Sequence, residues 1–218
     1  MNKYKFFVLF VISLFFVSPT LYCIKTDVFN YKIFSTDNFD IYYPDNKFEK
    51  ILPQIEQILE ESFVQNTEYF DVKFDYKIPF FIYYGYQQFL QNTIVDVSEQ
   101  TGGVTEAFKN RFLVPYTGSM KFLQHVIHHE FTHEVQFNIL YSGVWKTPLL
   151  LKSIFYPNWL LEGLAEYRSA LYTKTLQEML VRDMAVSNKL IPLEHLHNFA
   201  HLKPHMVLPA YEESAKLM

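Results

Sequence analysis

Residues 127–136, IHHEFTHEVQ, place His129 and His133 four positions apart, with Glu130 beside the first. On a helix, residues i and i+4 stand one above the other, so both imidazoles can aim a nitrogen at one point. Zinc accepts such nitrogens at about 2.0–2.1 Å. Glu130 lies about 100° around the helix from His129. It can act on a water beside the metal without itself binding the metal. Two ligands and a base on one helical turn are the physical content of an H-E-x-x-H motif.

The surroundings strengthen that reading. Phe122, Val126, Phe131, Val135 and Phe137 flank the motif, and polar side chains set into an apolar wall are costly unless something satisfies them. A second segment, PNWLLEGLAEY (157–167), places Glu162 among Leu160, Leu161, Leu164 and Ala165. A carboxylate there would complete three protein ligands and leave a fourth position open, as a catalytic zinc requires. Gly163, having no side chain, would let this helix approach the histidine helix. Glu166, one turn on, faces the same way and can hydrogen-bond the far nitrogen of a ligand histidine.

HEFTH and WLLEGLAEY, with 28 residues between His133 and Glu162, resemble the gluzincin metallopeptidases, among them the thermolysin-like and aminopeptidase N types. The pattern is most similar to bacterial secreted peptidase MA-like domains. The strong match spans about 119–170. The resemblance implies His129, His133 and Glu162 as zinc ligands, Glu130 as general base and Glu166 as a support to a ligand histidine. It also implies an edge strand, here GGVTE (102–106), that holds peptide substrate by β-augmentation through Gly103, Val104 and Thr105. Gluzincin aminopeptidases carry a glutamate that grips the substrate's free amine where this chain has Thr105. An endopeptidase is therefore expected over an aminopeptidase. Finally, LPAYEESAKL (208–217) is similar to the Tyr-x-x-Gly/Ser-Ala element of that group. This implies Tyr211, at the start of a helix, as the donor that stabilises the oxyanion, with His205 as the next candidate.

The remaining histidines are expected elsewhere. His128 is placed on the surface or behind the ligands, His125 on the helix surface, and His195, His197, His201 and His205 in a solvated stretch. Gly102-Gly103 lacks the Gly-Lys-Ser/Thr that a phosphate loop needs.

The N-terminus reads as a secretory signal, 1–22. Lys3 and Lys5 precede the apolar run Phe6–Val17, and Ser18-Pro19-Thr20 follows. The chain is thus expected to be exported, to a periplasmic, cell-surface or extracellular location. An uncleaved signal or a lipidated Cys23 would tie it to a membrane. Cys23 is the sole cysteine, so no intrachain disulfide forms. The net charge of −4, without a basic stripe, excludes nucleic acid as the expected partner. Twenty-two Phe and sixteen Tyr, in a chain that is half hydrophobic, indicate a packed core. A genome rich in A and T would produce the same bias.

Periodicity predicts a strand at 39–44, a helix over 48–63 with Pro53 in its first turn, and a buried strand over 76–85 closed by Gly85. A hairpin turns at Lys109-Asn110. Helices follow over Ser119–Tyr141 with Ser119 as N-cap, from Trp159 with Asn158 as cap, over 174–188, and at the C-terminal end. That order is α+β. The expected domain, 27–218, is a zincin-like, thermolysin-type fold. A small mixed sheet with an edge strand lies over the HExxH helix, ahead of a mostly helical C-terminal part. The uncapped last helix predicts that the natural chain continues beyond 218. The expected function is a zinc-dependent peptidase acting on peptides or proteins through water activated by the metal. The alternatives are a zinc-stabilised, catalytically inactive peptide- or protein-binding domain, and a metal-free structural protein.

Overall fold

A computed structural model of the chain describes residues 30–93, 102–106, 109–141, 156–169 and 174–218. The signal segment, Cys23 and the loop after residue 141 lie outside the described residues. The architecture is mixed α+β. Strands β1 (Lys32–Ser35), β2 (Phe39–Tyr43), β3 (Ile78–Tyr84), β4 (Val104–Glu106) and β5 (Arg111–Tyr116) form one sheet in the order β1-β2-β3-β5-β4. The centre is parallel, with Ile41 opposite Phe80 and Phe80 opposite Phe112, and both outer strands are antiparallel.

Parallel neighbours need crossovers, and helices supply them. Helix α1 (Leu52–Phe70) joins β2 to β3, and α2 (Gly85–Asn92) leads away from β3. A 3₁₀ turn at Asn46–Lys50 precedes α1, and Pro53 sits in the first helical turn, where its missing N–H costs nothing. The helix predicted over 48–63 thus begins at Leu52 and runs to Phe70, ended by Asp71 at φ 49°. Gly85 closes β3 as expected, and at φ 66° it turns the strand directly into α2. The hairpin between β4 and β5 turns at Asn110, also left-handed at φ 46°.

One face of the sheet carries the main core. Phe39, Ile41, Ile78, Phe80, Ile82 and Phe112 pack on Ile55 and Leu59 of α1 and on Ile127, Phe131 and Val135 of α3 (Met120–Tyr141). Ser119 caps α3 as expected, its hydroxyl accepting from the Phe122 N–H at 3.2 Å. On the other face α2 covers Tyr83 and Leu113 through Phe89.

The rest is helical: α4 (Asn158–Ser169), α5 (Lys174–Val186) and α6 (Pro204–Lys216), around a second core of Met184, Ile191, Leu196, Phe199 and Ala210. Asn158 is the first residue of α4 and not its cap. The first N–H groups of α4 are satisfied by backbone instead, Asn158 donating to the His197 carbonyl at 3.0 Å and Trp159 to that of Leu196 at 3.1 Å. At the other end Arg168 donates to Asn66 Oδ1 (3.1 Å) and the Gln65 carbonyl (2.9 Å), and lies 4.1 Å over the Tyr69 ring. Both ends of α4 are therefore fixed. Among the described residues no helix is long and apolar enough to cross a membrane.

Candidate metal centre

Helix α3 runs beneath the sheet with its apolar side against the core and its motif side towards α4 and α6. His129 and His133 are both buried on that motif side. Their Nε2 atoms are 3.2 Å apart, and Glu162 Oε2 of α4 lies 3.3 Å from the first and 3.0 Å from the second. The three atoms form a near-equilateral triangle. Ligands held about 2.0–2.2 Å from a tetrahedral zinc stand about 3.3–3.6 Å apart, so the donor set fits such an ion with little adjustment. His129, His133 and Glu162 could hold a metal ion, and among the described residues they are the one such group.

Charge supports the same reading. Burial alone would raise the Glu162 carboxyl, but the two imidazoles hold it far below the usual carboxylate range. Burial alone would depress His129, yet Glu162 and Glu166 more than offset it and lift that imidazole to about 10. His133 is raised too, by Glu162 against the effect of burial. The carboxylates thus demand positive charge at this point, which is what a bound dication supplies.

The ligand rings are held from behind. Glu166 Oε2 lies 3.3 Å from His129 Nδ1, off the direction of the ring N–H. Gln136, one turn beyond His133, accepts from His133 Nδ1 at 2.9 Å and donates to the Leu161 carbonyl at 2.9 Å. Sequence reasoning missed Gln136, although its i+3 spacing from His133 puts it on the same helix face.

Glu130 is buried, with its side chain towards β4. The Thr105 hydroxyl lies 2.7 Å from Glu130 Oε2 and 2.9 Å from the Glu130 carbonyl oxygen. A Cβ on Gly103 would stand 2.7 Å from Glu130 Cγ and 2.9 Å from Val126 Cγ1, so only glycine admits that approach. Burial raises the Glu130 pKa, and the two imidazoles and Thr105 act against that rise. Of the three expected substrate-strand residues, Gly103 and Thr105 therefore meet the base directly. Val104, between them, turns the other way into the small core behind the sheet.

Tyr211 comes to the site as well. Its ring centroid is 5.9 Å from that of His129, and the Glu162 carboxylate acts on its hydroxyl. Burial, with the charges of Glu162 and Glu130, pushes its pKa well above 10, so the hydroxyl stays a donor at neutral pH. Tyr211 is not at a helix start, however. Helix α6 begins at Pro204 and continues through Pro209, which leaves Tyr211 in the interior of the helix.

Four other expectations are corrected. His125 is half-buried, not on the surface, with Nδ1 3.4 Å from the Ser169 carbonyl and Nε2 3.7 Å from Glu166 Oε2. His128 is buried too, and burial lowers it to about 4, with the charge of Glu61 acting against that fall and that of Arg168 adding to it. His205 is exposed at the start of α6, as His195, His197 and His201 are exposed before it, and it has no place at the site. Gly163 has a different partner from the one expected, since it faces α6 and not α3.

No protein-family model, curated protein or solved structure matches this chain.

Proposed function

We propose that this chain is a zinc-dependent peptidase of zincin-like, gluzincin type, exported, and acting within peptide or protein chains. The observation that carries the reading is the triangle of His129 Nε2, His133 Nε2 and Glu162 Oε2, with edges of 3.0–3.3 Å. A zinc held there would act as a Lewis acid, polarising a carbonyl and making a nearby water acidic enough to ionise near pH 7. Glu130, next to the ligands and outside their triangle, is placed to take the proton from that water and return it to the leaving amine. Thr105 and Gly103 fix where its carboxylate points. Tyr211 supplies a neutral O–H that can meet negative charge developing on the substrate oxygen.

Strand β4 ends the sheet, and among the described residues its outer edge pairs with no strand. An extended substrate would add there as a further strand, its scissile bond passing Glu130. Thr105 offers no carboxylate to hold a free amino terminus, which favours cleavage within chains. The presence of Glu130 favours an enzyme over a zinc-stabilised binding domain, because a purely structural zinc needs no base.

The test pairs metal analysis of the purified chain with cleavage of a quenched peptide library, with and without chelator. We expect a single bound zinc, activity lost to chelator, and a Glu130→Gln variant that keeps the zinc and loses cleavage. A chain without zinc, or a Glu130→Gln variant as active as wild type, would refute the proposal.

A further inference from the structure

Gln136 is buried, and both ends of its amide are engaged. One partner, the Leu161 carbonyl, can only accept. The amide must therefore turn its NH2 towards Leu161, which leaves Oε1 facing His133 at 2.9 Å. An oxygen there accepts only, so His133 must carry its hydrogen on Nδ1. Nε2 is then the atom left for the metal, and it is Nε2 that faces His129 and Glu162. The orientation of one carbonyl on α4 thus decides the tautomer of a ring on α3. Leu161 also immediately precedes Glu162, so the same amide ties the two helices together one residue from the third ligand.

We infer that Gln136 is a positioning residue for the metal centre, fixing the tautomer and orientation of His133 through the acceptor it places on Nδ1. The inference rests on the reading of His129, His133 and Glu162 as metal ligands. It assigns the two histidines different supports, a charged carboxylate (Glu166) behind His129 and a neutral amide (Gln136) behind His133. An orienting partner of this kind typically contributes about 10- to 100-fold in metal affinity.

Zinc dissociation constants, measured by competition with a chromophoric chelator, test it in Gln136→Met and Gln136→Glu. Methionine keeps the volume and loses both hydrogen bonds, and glutamate still accepts from His133 Nδ1. We expect the Met variant to bind zinc about 10- to 100-fold more weakly, and the Glu variant to stay within about threefold of wild type, since the acceptor on which affinity depends remains. Proton NMR of the zinc-loaded protein should show a slowly exchanging His133 Nδ1–H that disappears in the Met variant. A residue that only packs would lower the melting temperature of the metal-free protein and leave the zinc constant and this resonance unmoved. Unchanged affinity in the Met variant overturns the inference while leaving the metal reading intact. So does a Glu variant that loses zinc tenfold or more, and that arm stands if the Met variant does not fold. Wild-type protein that binds no zinc overturns the metal reading and this inference together.

Discussion

Gly163 of α4 and Ser214 of α6 meet backbone to backbone. A Cβ on Gly163 would stand 2.7 Å from the Ser214 carbonyl oxygen and 2.9 Å from Ser214 Cβ. Glu162 precedes Gly163 and Tyr211 lies one turn before Ser214, so this contact sets the third ligand against the tyrosine. Gly163→Ala must force the helices apart at a point where backbone, not a flexible side chain, is in the way. We expect a loss of about 1–3 kcal/mol in stability, together with weaker zinc binding. Urea denaturation reads the first, and an unchanged midpoint would show that the helices separate freely.

Tyr211→Phe removes the hydroxyl on which Glu162 acts and nothing else. If that hydroxyl moves to the substrate oxygen in the transition state, kcat falls about 100-fold or more, while zinc content and KM stay near wild type. Steady-state kinetics on a quenched peptide decide it. An unaltered kcat would reduce Tyr211 to a packing residue against Phe199.

Thr105→Val keeps the shape beside Glu130 and loses the donor at 2.7 Å. A hydrogen bond to a charged group contributes about 1.5–3 kcal/mol, so loss of the aimed carboxylate should lower kcat about tenfold or more. Thr105→Ser should restore most of it. A Val variant with wild-type kcat, or a Ser variant no better than Val, would rule out the aiming role.

Stability should also depend on pH through Glu212. Burial raises this carboxyl from 4.5 to about 7, with the charge of Glu166 adding to the effect, and among the described residues its Oε2 meets no hydrogen-bond partner. Between those values the folded chain binds more proton than the unfolded one. Stability from this group is thus complete below pH 4.5 and lost as pH rises through 7. Glu212→Gln should therefore be more stable than wild type by about 1–3 kcal/mol near pH 8, with the gain vanishing near pH 4. Unfolding of chelator-treated protein at both pH values checks this, and a difference independent of pH would contradict it.

The site was legible because most of its chemistry is local in sequence. His129, Glu130 and His133 share one helical turn, and Glu162 and Glu166 share another. What was not legible depends on partners distant in the chain. Gly163 could be seen to need a neighbour, but not that the neighbour is Ser214. His125 was expected on the surface, and His128 there or behind the ligands, because polar side chains are usually outside. Only the packing of α1 and α4 around α3 buries them. The fold was harder than the site. Strand β1 is mostly exposed and so lacks the apolar alternation that marks a strand. Near the end of α1 the run Gln65-Asn66-Thr67-Glu68 is polar, so the helix outlasts its own periodicity. Tyr211 was expected at a helix start, and the true start, Pro204, lies seven residues earlier.

The phenylalanine content has a mechanical consequence for the metal centre. Phe131 lies between the two ligand histidines in sequence and so on the opposite side of α3. Its ring is fully buried, with the rings of Phe39, Phe63, Phe74 and Phe112 at centroid distances of 5.6–6.3 Å. Side-chain tips lie about 5–6 Å from a helix axis, so turning α3 by about 10° would sweep a ligand nitrogen through about 1 Å. That displacement exceeds the roughly 0.5 Å within which a working site must be held. The Phe131 ring, gripped on four sides, works as an indexing pin that stops the helix from rolling and keeps both imidazoles aimed at one point.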